Sequence, residues 1–291
     1  MSLVSSETTD HRASRSAPAP ADSFEATFRA AHRRRLRRAA GWRIALNIAG
    51  LVLFVIAWEL IPRYSTWINE VLFPPPSQVF ATFVPLLLSG QILDDIRVSL
   101  VRAASGFGVA LGLGIGAGVL TARLAWLQYL LEPLLHGFRS IPAIALIPLC
   151  ILWFGIGEVS KTALIAWGAF FPLWITTFIG VRDVNPIYLR SAACLGAGRL
   201  TTLFLVVLPA ALPFILTGIR QALSVSLVVL VAAEMSGASS GIAHMMSEGH
   251  QLFRVDIMFI GLAVLGAVGF LVDRAFVAIA RRLFPWYQIT S

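Results

Sequence analysis

The stretch Arg190-Ser191-Ala192-Ala193-Cys194-Leu195-Gly196-Ala197-Gly198-Arg199-Leu200, followed by Val206-Val207-Leu208-Pro209, decides how the rest of the chain is read. It predicts a short helix with small residues on one face, able to press closely into a groove. A glycine then turns the chain back, and a Leu-Pro step starts a new apolar run. The long polar interruption that contains it, 182–202, lies between two apolar segments. Thr162 to Val181 precedes it and carries Pro172 in its middle. Leu203 to Leu216 follows, interrupted by Pro209 and Pro213, and continues as a span from Gly218 to Met235. Proline is tolerated within a membrane-spanning helix where neighbours re-satisfy the freed backbone groups.

Outward from there, the chain alternates apolar runs with short polar connections. Ile44 to Pro62 is 19 residues long. At about 1.5 Å per residue it matches a hydrocarbon core of about 30 Å. Trp42 and Trp58 fall at interfacial positions. Phe73-Pro74-Pro75-Pro76-Ser77 breaks the chain, Ser77 predicts an N-cap for a helix to about Leu88, and 91–97 is polar. The second span runs from about Leu100 to Thr121. Gly108, Gly112 and Gly116 recur in it every four residues, which predicts a helix-packing face. The mixed segment 122–140 reads as a short helical connection. Ile141 to Phe154 is apolar but interrupted by Pro142 and Pro148, and 236–256 is a polar loop rich in Gly and Ser. Ile257 to about Ala280 is the last span. The expectation is an all-α polytopic membrane protein with six transmembrane helices.

Composition points the same way. Of 291 residues, 57% are hydrophobic and 13% charged, where soluble domains carry about a quarter charged residues. A water-facing surface cannot be covered with so few charges. The net charge of +8 is concentrated at the start, where residues 1–43 hold nine arginines against four carboxylates. The basic run His32 to Arg38 stops just short of the first apolar run, so it reads as a topology signal rather than a nucleic-acid patch. The N-terminal tail is then cytoplasmic. An even number of spans puts Arg281 and Arg282 on the same side, together with 123–139 and 182–199. Arg63, Arg97, Lys161 and Arg254 fall outside. The division expected is a flexible basic tail (1–40), a first transmembrane helix (41–66), an outer-surface segment with a short helix (67–97), a core of five helices (98–285) and a cytoplasmic end (286–291).

Several chemistries are disfavoured. Cys150 and Cys194 sit in different contexts, which predicts no disulfide. The histidines are scattered, and His244 and His250 are six apart, a spacing that suits no usual zinc pair. Gly155 through Ser160-Lys161-Thr162 looks like a phosphate loop, but Ser160 replaces the glycine before the lysine and the topology puts it outside. No nucleophile–base arrangement is recognisable, so no catalytic residue and no bound cofactor or metal is expected. Glu234, near the outer end of the fifth span, is costly at that depth. It faces a pathway or gate, pairs with Arg220, or sits at the interface. The turn Gly237 to Gly241 lies beside it, with Ser239 and Ser240 offering hydroxyls to a passing anion.

The segment 190–209 resembles the cytoplasmic loop of binding-protein-dependent ABC importer permeases. Their pattern is Glu-Ala-Ala, three residues, Gly, nine residues, Ile, one residue, Leu-Pro. Here it reads Arg190-Ser191-Ala192, Gly196, Val206, Leu208-Pro209, with Arg190 where the family has glutamate. Leu149 to Ile156, Gly157-Glu158, Ala169-Phe170-Phe171-Pro172, Ala232-Ala233-Glu234-Met235 and Leu72 to Ser77 resemble the subgroup for nitrate, sulfonates such as taurine, and bicarbonate. The resemblance covers about residues 44–285. It implies a type I importer permease fold in a bacterial inner membrane. It also implies a second copy of the chain, two cytoplasmic ATPases that bind ATP with Mg, and an extracytoplasmic solute-binding protein. Arg190, Ser191, Ala192 and Gly196 would couple to the ATPase, and Leu208 and Pro209 would aim the next span. His244, Glu248, His250 and Arg254 would dock the binding protein. The competing reading is a stand-alone channel or secondary transporter, which usually shows repeats between its halves; none is evident.

Overall fold

A computed structural model describes Trp42 and residues 46–64 and 69–284; the tail 1–40 and the end 286–291 lie outside the described residues. Every regular element described is helical. In chain order they are α1 (Leu46–Tyr64), α2 (Pro76–Leu88), α3 (Gln91–Arg123) and α4 (Ala125–Arg139). A 3₁₀ turn (Ala143–Leu146) leads into α5 (Ile147–Phe154). Then come α6 (Glu158–Arg182), α7 (Pro186–Cys194), α8 (Arg199–Thr202), a π-helical turn (Leu203–Val207), α9 (Leu208–Met235), α10 (Ile242–Gln251) and α11 (Val255–Leu283). Among the described residues, five helices are long and apolar enough to span a membrane, α8 to α9 counting as one. The pair α4 and 143–154 makes a sixth if it is taken as one span bent by 91°. The expected all-α polytopic architecture is the one found. α1, described by itself, is 19 residues long, or about 28 Å.

The segment 122–140, read from sequence as a connection, is mostly a 15-residue helix of its own, α4. Ser140 to Pro142 breaks it from the next helix. Pro142 fixes an extended turn (φ −60°, ψ 132°), and Pro148 falls in the first turn of α5, where its missing N–H costs nothing. The polar residues 91–97, expected to lie on the membrane surface, continue into the second span without a break. Gly90 (φ +83°) starts a single 33-residue helix, about 50 Å long. That exceeds a hydrocarbon core of about 30 Å, so the helix is longer than one crossing needs.

The core is a stack of three helices with α6 in the middle. α3 approaches it through Gly106, Ala110, Gly114 and Gly118. A Cβ at Gly106 would lie 2.6 Å from Ile165 Cβ, at Gly114 2.7 Å from Leu173 Cβ, and at Gly118 2.7 Å from Thr177 Cβ. The stripe expected to pack is not the one used within the chain. A Cβ at Gly108, Gly112 or Gly116 would meet nothing within 4 Å. Both stripes have the same four-residue spacing, so periodicity could not separate them. On its other side α6 meets α9, where a Cβ at Gly180 would lie 2.6 Å from Phe214 Cβ and one at Gly168 2.8 Å from Val229 Cγ2. In lipid the drive to pack is dispersion rather than water exclusion, and small residues maximise it by letting backbones approach. Trp174 Nε1 donates to Thr121 Oγ1 at 3.2 Å and ties the lower part of α3 to α6. A second cluster joins α2, α3, α10 and α11 through Ile92, Ile242, Met245, Ile260 and Val264. Thr82 donates to Asp256 there at 2.8 Å.

Candidate functional site

At one end of the core, the loop predicted to couple forms α7. Asn185 caps it by accepting from Ile187 N at 2.9 Å, and Pro186 opens the helix. Ala197 N donates to Ala192 O and Gly196 N to Ala193 O, both at 3.0 Å, a Schellman turn with Gly196 at φ +73°. A Cβ at Gly196 would meet nothing within 4 Å, so backbone conformation alone demands glycine. Ala192 is the buried contact of α7. Arg190 and Ser191 are exposed, and Ser191 Oγ donates back to Ile187 O at 2.9 Å. Around them Ile187, Leu195, Leu200 and Leu205 are exposed, Leu195 at 87%. These form an apolar surface on a polar loop.

Leu208 and Pro209 do not open a new helix after a gap. Val207 is fully buried and the helix runs from Arg199 to Met235. Pro209 cannot donate to Leu205 O, nor Pro213 to Pro209 O, and the turn just before them, 203–207, widens to π geometry. The Leu-Pro step therefore falls at a local break in the hydrogen-bond ladder of one continuous helix.

At the opposite end, α3, α6 and α9 meet in a charge cluster. Arg102, 4% exposed, forks onto Glu158, with Nε to Oε2 at 2.6 Å and Nη2 to Oε1 at 2.7 Å. Its Nη1 donates to Glu234 Oε1 at 2.9 Å and to the Ser240 carbonyl. Lys161 Nζ, also buried, reaches Glu158 Oε1 at 3.1 Å. Two buried cations are thus balanced by one buried and one half-exposed carboxylate, as burial of charge requires.

The same cluster caps α10. Gly241 N donates to Asp95 Oδ1 (2.8 Å), Ile242 N to Ser99 Oγ (3.0 Å) and Ala243 N to Glu234 Oε2 (3.0 Å). Ser99 Oγ in turn donates to Glu234 Oε1 at 2.7 Å. Three of the N–H groups left open at a helix start are met by side chains from α3 and α9. Asp95, Ser99 and Arg102 lie on one face of α3 at helical spacing.

This arrangement corrects the reading of Glu234. It is 1% exposed and both oxygens are engaged inside the chain, so in this conformation it pins the turn 236–241 rather than facing a pathway. It does not pair with Arg220, which forks onto Asp273 at 2.7 and 3.0 Å. Ser239 is exposed; Ser240 contributes its carbonyl to Arg102. Lys161, expected among the residues that fall outside, is a buried member of the cluster. Sequence reasoning missed Arg102, Ser99, Asp95 and Glu158. The signal was there: an arginine within a predicted span is expected to face a partner.

The four residues predicted to dock a binding protein gather on α10 and the turn after it. His244 Nε2 lies 3.4 Å from Glu248 Oε1, His250 is exposed, and Arg254 donates to Asp256 Oδ2 at 2.9 Å. The turn is a second Schellman motif, with Arg254 N to Gly249 O at 2.7 Å and Phe253 N to His250 O at 3.2 Å. Here Phe253 takes the left-handed position (φ 54°) and is 75% exposed, beside Leu252. A bulky residue at positive φ is uncommon, and here the Schellman hydrogen bonds hold it in place. Neither was foreseen.

Residues 110–285 match the family described as binding-protein-dependent transport system inner membrane component. The chain is 36% identical over 250 residues to a putative aliphatic sulfonates transport permease protein, SsuC, of Bacillus subtilis (strain 168), covering 86% of this chain and 90% of that one. It is 32% identical over 267 residues to the taurine transport system permease protein TauC of Escherichia coli (strain K12), covering 88% and 95%. A chain of the MetNI methionine ABC transporter in an inward-facing conformation shares the fold at TM-score 0.53 and 17% identity, covering 67% of this chain and 98% of that one. The chain belongs to the binding-protein-dependent inner-membrane component family: it is a multi-pass ABC importer permease.

Proposed function

We propose that this chain pairs with a second copy of itself, docks two cytoplasmic ATPases through α7, and imports a small anionic solute by alternating access. A sulfonate of the taurine or alkanesulfonate type ranks ahead of nitrate and bicarbonate. An extracytoplasmic binding protein delivers the solute against α10. Both termini are cytoplasmic, in accord with the arginine-rich start of the chain. The observation that carries the reading is the exposed apolar surface of α7, closed by the Gly196 turn and braced on buried Ala192. Such a helix can move as a rigid body with a docked partner and pull the continuous α9 rod with it. The energy comes from ATP binding to the partner with Mg, which must favour one state of the permease differentially. The taurine and aliphatic-sulfonate relatives support the solute class.

The test is purification from the host in mild detergent, followed by native mass spectrometry. The expected particle holds two copies of this chain and two of an ATPase, and in proteoliposomes with the binding protein it takes up taurine on addition of ATP. A chain that runs without an ATPase in several detergents overturns the reading. Gly196→Val adds a sharper prediction. A β-branched residue at positive φ costs about 1–2 kcal/mol locally. The protein should insert and keep its thermal stability within that margin, yet lose ATP-dependent uptake. Uptake at the unsubstituted rate would remove α7 from the coupling path.

A further inference from the structure

We infer that the ATPase docking on α7 meets Arg190 with a carboxylate, so that the charge of this one side chain selects the partner. The inference rests on the coupling role given to α7 and assigns the chemistry of the surface that receives it.

α7 has two faces. Ala192 is buried and Leu189 half-buried, and Val184 and Leu189 pack with Leu203 and Val207 at the start of the α8–α9 rod. Ile187, Arg190, Ser191 and Cys194 fall at i, i+3, i+4 and i+7, the spacing of one helix face, and all four are exposed. Ser191 Oγ is turned back onto Ile187 O, so Arg190 is the charged group this face presents. Its side chain makes no hydrogen bond or ion pair among the described residues.

The charge around it has one sign. Arg182, Arg190 and Arg199 stand between 182 and 202 against the single carboxylate of Asp183. Arg182 Cζ lies 5.6 Å from the Phe178 ring centre. Arg199 is exposed. Apolar area is interleaved with these charges, since Ile187 is 62% exposed and Leu195 more so. An apolar helix face carrying an unpaired guanidinium suits a groove with an apolar floor and an acid at its rim, because interfaces set opposite charges together and exclude like ones. The related pattern has glutamate where Arg190 stands, and a groove fitted to that glutamate would repel this chain.

Anionic lipid is the other source of negative charge, and the geometry disfavours it. The rod draws level with the end of α6 at Phe214, which faces Gly180. Val207 and Leu203 lie seven and eleven residues before Phe214, about 10–16 Å further along. Arg123 and Arg182 close α3 and α6, and arginines at helix ends mark the membrane surface. Packed on Leu203 and Val207, α7 stands beyond that surface.

Arg190→Lys tests the contact directly. Lys161 is the one lysine of the chain and is buried in the cluster at the opposite end, so the variant gives α7 its own lysine amine. In the complex purified with its ATPase, a water-soluble carbodiimide should join position 190 to an Asp or Glu of the ATPase through an amide, located by tandem mass spectrometry. Arg190→Glu supplies a second measurement. With the permease in nanodiscs, it should weaken ATPase binding about tenfold at about 0.1 M salt. The loss should shrink at about 1 M, where the Debye length falls from about 10 Å to about 3 Å. Arg190 holds no contact inside the chain, so an unchanged melting temperature shows that the fold is kept. An ATPase that copurifies but gives no cross-link at 190, or that binds Arg190→Glu as tightly as the unsubstituted chain, overturns the acidic groove and leaves the importer reading intact. A cross-link to phosphatidylserine with ATPase affinity unmoved gives the arginine to the membrane and overturns it too. An unsubstituted chain that binds no ATPase overturns the groove and the importer reading together.

Discussion

Replacing Arg102 by methionine is expected to lower the stability of the folded permease by about 3–5 kcal/mol, the cost of leaving a buried charge without its partner. Glu234 is the group left behind. It is 1% exposed, and without Arg102 its Oε1 keeps only the Ser99 hydroxyl. Glu158 would lose its bidentate partner but is half-exposed and keeps Lys161, so it contributes less. The damage should spread to the α10 cap, because Ala243 N and Ile242 N are held by Glu234 and Ser99. Thermal unfolding in detergent, with limited proteolysis at 236–241, measures both effects. The double variant Arg102→Met/Glu234→Gln should recover part of the loss, since no buried charge is then unpaired. A single variant as stable as the unsubstituted chain would show that the cluster is solvated and does not hold the turn 236–241.

The second large effect concerns two glycine stripes on one helix. Gly114→Leu and Gly118→Leu are expected to destabilise the chain by about 1–3 kcal/mol each, and by more where backbone cannot yield. At Gly118 the new Cβ would also lie 2.9 Å from the carbonyl of Trp174, which is backbone rather than a flexible side-chain end. Gly112→Leu and Gly116→Leu enter open space and should change the stability of the single chain by less than about 0.5 kcal/mol. The four melting temperatures, compared in one detergent, decide the matter. Equal losses across both stripes would mean that α3 is rotated from the orientation described.

The glycine result also marks where sequence reasoning reaches its limit. A four-residue repeat says that a face of small residues exists on a helix. It does not say which of two interleaved faces meets a neighbour, because that is set by helix rotation against α6. Arg102 gives the reverse lesson. Its place in an apolar run announced a buried partner, but the partners, Glu158 and Glu234, are 56 and 132 residues away. No local pattern joins them. The choice between Arg220 and Arg102 as the partner of Glu234 was equally closed to sequence, since both arginines lie in predicted spans.

The sequence by itself determined the class of molecule. Too few charges to face water, apolar runs of bilayer length, and arginines gathered on alternate connections are properties of composition and order along the chain. The same holds for the α7 turn, where a small-residue helix must end at a residue that tolerates positive φ, so that Gly196 could be read locally. The tertiary structure alone decided what the polar residues inside the spans do. In a bilayer a buried charge must find its complement across space, and that complement is fixed by which helix ends converge. Here the ends of α3, α6 and α9 converge on Arg102.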